Sequence, residues 1–101
     1  MNLETLQKLF TELRDFLEYY HDNSISYSRR IVRNVVVMLE SDKIESVKME
    51  YVIEAYKSLY PVRGGLTEYY IWDNDYAKRK QLNEPLDRIT DEIWKIMKPY
   101  V

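Results

Sequence analysis

At 101 residues, with 46% hydrophobic and 32% charged side chains and only 2 Gly and 3 Pro, the chain has the size and composition of one globular, helix-leaning domain. It contains no cysteine, which excludes disulfides and thiolate metal sites, and its net charge of −2 gives no general attraction to nucleic acid. The longest apolar run, residues 35–39, falls far short of the roughly 20 residues a membrane span needs. An amphipathic opening segment with Glu4 already in place predicts no signal peptide, so a cytoplasmic location is expected.

The first segment places Leu3, Leu6, Phe10, Leu13, Leu17 and Tyr20 at steps of three and four, the spacing of one helical face. Leu9 and Phe16 widen that stripe. A helix is predicted over 3–21, capped by the Asn2 side chain and with Met1 and Leu6 placed as a hydrophobic staple. The turn-forming run His21, Asp22, Asn23 and Ser24 ends it.

A second helix is predicted over 25–40, with Ile31, Val32, Val35, Val36, Met38 and Leu39 on a wide apolar face. Its three consecutive valines favour a strand in isolation, but the helical period and the absence of flanking Gly or Pro argue for a deeply buried helix. Ser41, Asp42 and Lys43 form the next junction, where Asp42 and Glu45 have the spacing of a capping box. Ile44, Val47, Tyr51, Ala55 and Leu59 then define a face flanked by Val52 and Tyr56. The helix stops before Pro61, because a proline disfavours helical geometry in the residue before it.

Residues 61–75 hold both glycines and are apolar and aromatic without a clean helical stripe, which predicts a structured crossover packed on the helices, with a helical turn over 66–72. Asp73, Asn74 or Asp75 then caps a last helical region beginning near Tyr76. Pro85 lies inside that region, yet Leu82, Leu86, Ile89, Ile93, Ile96 and Met97 keep helical phase across it. A continuous helix kinked at Pro85 fits that phase better than two pieces. The fold expected is an all-α, antiparallel four-helix bundle, since short connections at 22–24 and 41–43 make neighbouring helices antiparallel.

Motifs for catalysis are missing. The single histidine, His21, stands at a predicted helix end, where it serves the last carbonyls. Asp73 and Asp75 have the start of a calcium loop, but Tyr76, Ala77 and Lys78 break the pattern, and helix capping accounts for the acids. Gly64 and Gly65 after Arg63 lack the Gly-Lys-Ser/Thr ending of a phosphate loop and read as a chain reversal. No pair of the 17 acids is singled out for acid–base work, and no serine has a base beside it. No enzymatic activity, no cofactor and no metal are expected.

Charge is unevenly spread: residues 1–22 hold five acids against Lys8 and Arg14, while Arg29, Arg30 and Arg33 follow close behind. Arg29 and Arg33, four residues apart, are placed to pair with acids of the first helix. The same arginines, with Tyr27 and the run Lys78, Arg79, Lys80, offer a second reading as a small regulatory or nucleic-acid-binding domain. The acidic total and the lack of a recognised binding motif weigh against it.

Tyrosine is the compositional anomaly: 10 Tyr accompany 2 Phe and 2 Trp. Its large apolar body with a polar tip suits interfaces, where Tyr, Trp and Arg concentrate. Consecutive residues point different ways, so Tyr69, Tyr70 and Trp72 are hard to bury together. With Arg63, Asp73 and Asp75 they form the predicted partner-binding surface, the alternative being a core plug.

The run 59–73 (Leu-Tyr-Pro-Val-Arg-Gly-Gly-Leu-Thr-Glu-Tyr-Tyr-Ile-Trp-Asp), with Leu82-Asn-Glu-Pro-Leu-Asp after it, resembles small uncharacterised bacterial proteins with a similar Pro-x-Arg-Gly-Gly stretch. In size and helical character the chain is also similar to bacteriocin and polymorphic-toxin immunity proteins. That likeness implies a non-enzymatic protein that neutralises a cognate toxin by binding it. The partner expected is therefore a protein, or a second copy of the chain through the same exposed aromatics, and no residue role is carried over.

Overall fold

The computed structural model describes residues 1–20, 23–60 and 69–101. Among these there are four α-helices and no strand: α1 (Leu3–Tyr19), α2 (Ser26–Glu40), α3 (Glu45–Leu59) and α4 (Tyr76–Met97). Short 3₁₀ turns at Asn23–Ile25 and Lys98–Tyr100 precede α2 and follow α4.

The predicted stripe of α1 is its buried face: Leu6, Leu9, Phe10, Leu13 and Leu17 are all in the core. Asn2 sits in extended geometry and its side-chain oxygen accepts the Thr5 N–H at 3.0 Å, which satisfies one of the orphan donors of the first turn. α1 packs against both α2 and α4, and α2 packs against α3. One hydrophobic cluster runs through all four helices, with Val32, Val35, Val36 and Leu39 from α2, Val52, Tyr56 and Leu59 from α3, and Leu86, Ile89, Ile93 and Met97 from α4. The valine run is therefore helical: Val35 and Val36 face the core and Val37 faces outward.

Ion pairs tie the two neighbours to α1. Glu18 accepts from Arg29 Nη2 at 2.9 Å and from Arg33 Nε, so the acidic first helix and the basic second one meet as their charges suggest. Glu12 accepts from Arg88 Nη2 at 2.8 Å, joining α1 to α4.

Three local expectations are corrected. Asp42 does not form a capping box with Glu45; Ile44 is the N-cap of α3 and offers no side-chain hydrogen bond. The junction is instead tied by Lys48, whose Nζ donates to the Leu39 carbonyl at the end of α2 at 3.0 Å, and by Ser41, whose hydroxyl donates to Met38 O at 2.6 Å. The face of α3 that meets the core is rotated from the predicted one. Val52, Tyr56 and Leu59 are buried while Ile44, Val47 and Tyr51 are exposed, because α3 meets the core mainly through its second half. The helical turn expected over 66–72 is absent at Tyr69, Tyr70, Ile71 and Trp72, and residues 66–68 lie outside the described residues. α4 runs through Pro85 without interruption, with the proline ring exposed. Its lost N–H and steric clash, worth about 3 kcal/mol in a helix interior, are outweighed by the burial of Leu86, Ile89, Ile93 and Met97 beyond it.

The two arginines beside Glu18 hold its carboxyl down to about 2, well below its ordinary range. A carboxylate whose folded-state value is depressed contributes stability that is present above its unfolded value and lost as pH falls through the folded one. Glu18→Gln should therefore lower the melting temperature near pH 6 but make little difference near pH 2, where the native carboxyl is itself being protonated. Thermal unfolding followed by circular dichroism at the two pH values checks this; an equal penalty at both would contradict it.

Candidate interaction surface

The approach to α4 is built around a buried amide. Asn83 is 2% exposed and sits on the core face of α4, one turn before Leu86. Its Oδ1 accepts the Ile71 N–H at 2.9 Å, and its Nδ2 donates to the Ile71 carbonyl at 2.9 Å and to the Arg79 carbonyl at 2.8 Å. The side-chain amide thus serves both backbone groups of Ile71, as a neighbouring strand would. Ile71 has no helix or sheet of its own to supply these bonds, and this pairing holds the irregular segment to α4.

Fixing Ile71 sets its neighbours. Tyr69 is half-buried, packs against the core, and its hydroxyl donates to the Tyr20 carbonyl just past the end of α1. Its role is to plug the core and to satisfy a carbonyl that α1 leaves without an intrahelical partner. Tyr70 and Trp72 lie outward, 55% and 69% exposed. Asp73 accepts from the Asp75 N–H at 2.9 Å and lies 3.7 Å from the Lys78 ammonium. Asp75 is the N-cap of α4, accepting from the N–H groups of Ala77 at 2.9 Å and Lys78 at 3.3 Å. Both acids are thus engaged in starting the helix. Arg63 lies outside the described residues.

Two residues outside the predicted set complete the surface. The Arg79 guanidinium carbon lies 4.4 Å from the centre of the Trp72 ring and 5.2 Å from that of Tyr76, itself 69% exposed. A guanidinium over aromatic faces is held by the negative quadrupole of the rings. The indole N–H of Trp72 donates to Asn74 Oδ1 at 3.4 Å. Trp72, Tyr76 and Arg79 therefore form one ordered cluster on the outside of the molecule, with Tyr70 from the same segment exposed alongside Trp72 in the chain. The spacing of Tyr76 and Arg79, three apart at the start of a helix, was a readable signal for their shared face. Asn83 was readable too, as a lone amide in the apolar phase of α4.

The charged groups of the cluster are all engaged within it. Its arginine is bonded to rings and its carboxylates to backbone N–H groups. Among the described residues no group of three His, Cys, Asp or Glu stands together to hold a metal ion, and no helix is long and apolar enough to cross a membrane. His21 lies outside the described residues. No protein-family model, curated protein or solved structure matches the chain.

Asn83→Ala removes the partner of both backbone groups of the half-buried Ile71, a loss of about 1 kcal/mol per hydrogen bond. Hydrogen exchange at the Ile71 amide should accelerate in this variant far more than exchange in the middle of α1. A uniform change across both would show that Asn83 stabilises the whole chain and not this segment.

Proposed function

We propose that this chain is a non-enzymatic protein-interaction domain that docks a protein partner through Trp72, Tyr76, Arg79 and Tyr70. The observation that carries this reading is the solvent-facing stack of Trp72, Arg79 and Tyr76. Trp, Tyr and Arg are the residues that dominate binding energy at protein interfaces, and they act best when already ordered. Here the ordering comes from the Asn83 bonds to Ile71 and from the Asp75 cap of α4. The platform is an antiparallel bundle of four helices, the last kinked at Pro85, a reading supported by the short connections between α1, α2 and α3.

A narrower form of the proposal is an immunity protein that neutralises a cognate bacterial toxin in the cytoplasm. It rests on the resemblance in size and helical character and on the surface just described. The nucleic-acid reading is weaker, because Arg29 and Arg33, its strongest cations, are both bonded to Glu18. Arg79 is held by aromatic rings and Lys78 by Asp73.

The test is binding to the products of genes adjacent to this one, measured by calorimetry with the native chain and with Trp72→Ala and Arg79→Ala. Each substitution should weaken the complex by about 2 kcal/mol, the size of a hot-spot loss, with an unchanged melting temperature. A partner bound equally well by both variants would move the interface elsewhere. Absence of any binding and of any protection from a neighbouring toxin would overturn the reading.

A further inference from the structure

Among the described residues, a space between α3 and α4 gathers aromatic and acidic side chains. α3 packs on α2 and α4 packs on α1. Residues of α3 and α4 together line a cavity of about 650 Å³, within the roughly 300–1,000 Å³ range of small-molecule sites. Tyr56 from α3, Tyr60 just past its end and Trp94 from α4 give it three aromatic walls. The two tyrosine rings lie 4.9 Å apart, and Trp94 keeps 46% of its surface exposed. Asp87 and Asp91, one turn apart on α4, also line it.

The polar groups of the cavity are unevenly satisfied. Lys57 is turned to Glu54 at 3.6 Å and Asp91 is bridged by Lys95 at 3.0 Å, both on exposed faces. Asp87 makes no ion pair among the described residues. Tyr56 as a whole is only 6% exposed, but its hydroxyl reaches the solvent of the cavity and makes no hydrogen bond with a described residue. Burial also pushes the Tyr56 and Tyr60 hydroxyls above their ordinary values, so both are neutral and present oxygen acceptors at physiological pH.

We propose that the groove between α3 and α4 binds a small organic ammonium ion with an apolar body. Its charge is held by Asp87 and Asp91, its N–H groups by the tyrosine hydroxyl of Tyr56, and its body by the Tyr60 and Trp94 rings. Electron-rich ring faces attract a cation. An anion would meet two carboxylates, and a neutral apolar ligand would desolvate Asp87 without giving it a partner. The groove shares no residue with the surface around Trp72, so the fate of one proposal leaves the other standing.

Three probes of matched shape separate the outcomes: phenethylammonium, neutral 2-phenylethanol and anionic phenylacetate, each titrated into the full chain and followed by amide chemical shifts. Phenethylammonium should shift the amides around Tyr56, Tyr60, Asp87 and Trp94 and bind about tenfold more tightly than the alcohol, the scale of a desolvated cation–aromatic contact. Phenylacetate should bind least. The exposed pair Asp87→Asn and Asp91→Asn should erase the preference for the cation while leaving the melting temperature within a few degrees. Trp94→Ala should weaken the cation and the alcohol together. Equal binding of all three probes would reduce the groove to an apolar cleft and overturn the proposal. So would shifts confined to other regions, or none at about 10 mM, where a site worth the name in affinity terms is filled.

Discussion

The burial of α1 is the constraint on which the remaining architecture rests. Leu6, Phe10, Leu13 and Leu17 are sealed from solvent, and helices on two sides are needed to seal them. α2 takes one flank and α4 the other, so two of the three remaining helices are positioned by a single apolar stripe. Burying a leucine or phenylalanine side chain is worth about 1.5–3 kcal/mol. Four such residues outweigh any local preference elsewhere in the chain, including the proline inside α4 and the strand-favouring valines of α2.

Electrostatics then select which faces meet. The acids of α1 point in two directions, Glu18 to the arginines of α2 and Glu12 to Arg88 of α4. The side chains involved are partly exposed, so their contribution is modest in water. Their importance lies in orientation: a helix with one apolar stripe can rotate slightly in its seat, and a carboxylate gripped by two guanidinium groups limits that rotation. The same bonds remove Arg29 and Arg33 from the set of free cations.

Much of this was legible in residue spacing. The face of α1, its Asn2 cap, the helical state of the valine run, the pairing of Arg29 and Arg33 with the first helix and the start of α4 at Tyr76 all follow from period and local chemistry. The face of α3 was misread because its pattern is apolar almost all round. Ile44, Val47 and Tyr51 have the right spacing, but α3 meets α2 where Val52, Tyr56 and Leu59 point, and only tertiary packing decides between two such stripes. The cap of α3 was misread for a related reason: Asp42 had the right chemistry, while a lysine nine residues beyond Leu39 made the tie. Around α4, the sequence pointed to Tyr70 and Trp72 as hard to bury, and both are exposed, but it grouped them with Tyr69, whose hydroxyl is committed to Tyr20. A tyrosine that plugs and one that faces solvent are the same letter, and the difference lies in a contact 49 residues away in the chain.

The grip of Asn83 on Ile71 involves only main-chain atoms on the receiving side. Any residue except proline could stand at 71 and still be held. The exposed side chains at 70 and 72 therefore carry no burden of anchorage, and substitution there leaves the hydrogen bonds from the amide at 83 in place. Such an arrangement separates anchorage from outward shape within a few residues: the exposed side chains can be rewritten without the molecule having to relearn how to fold.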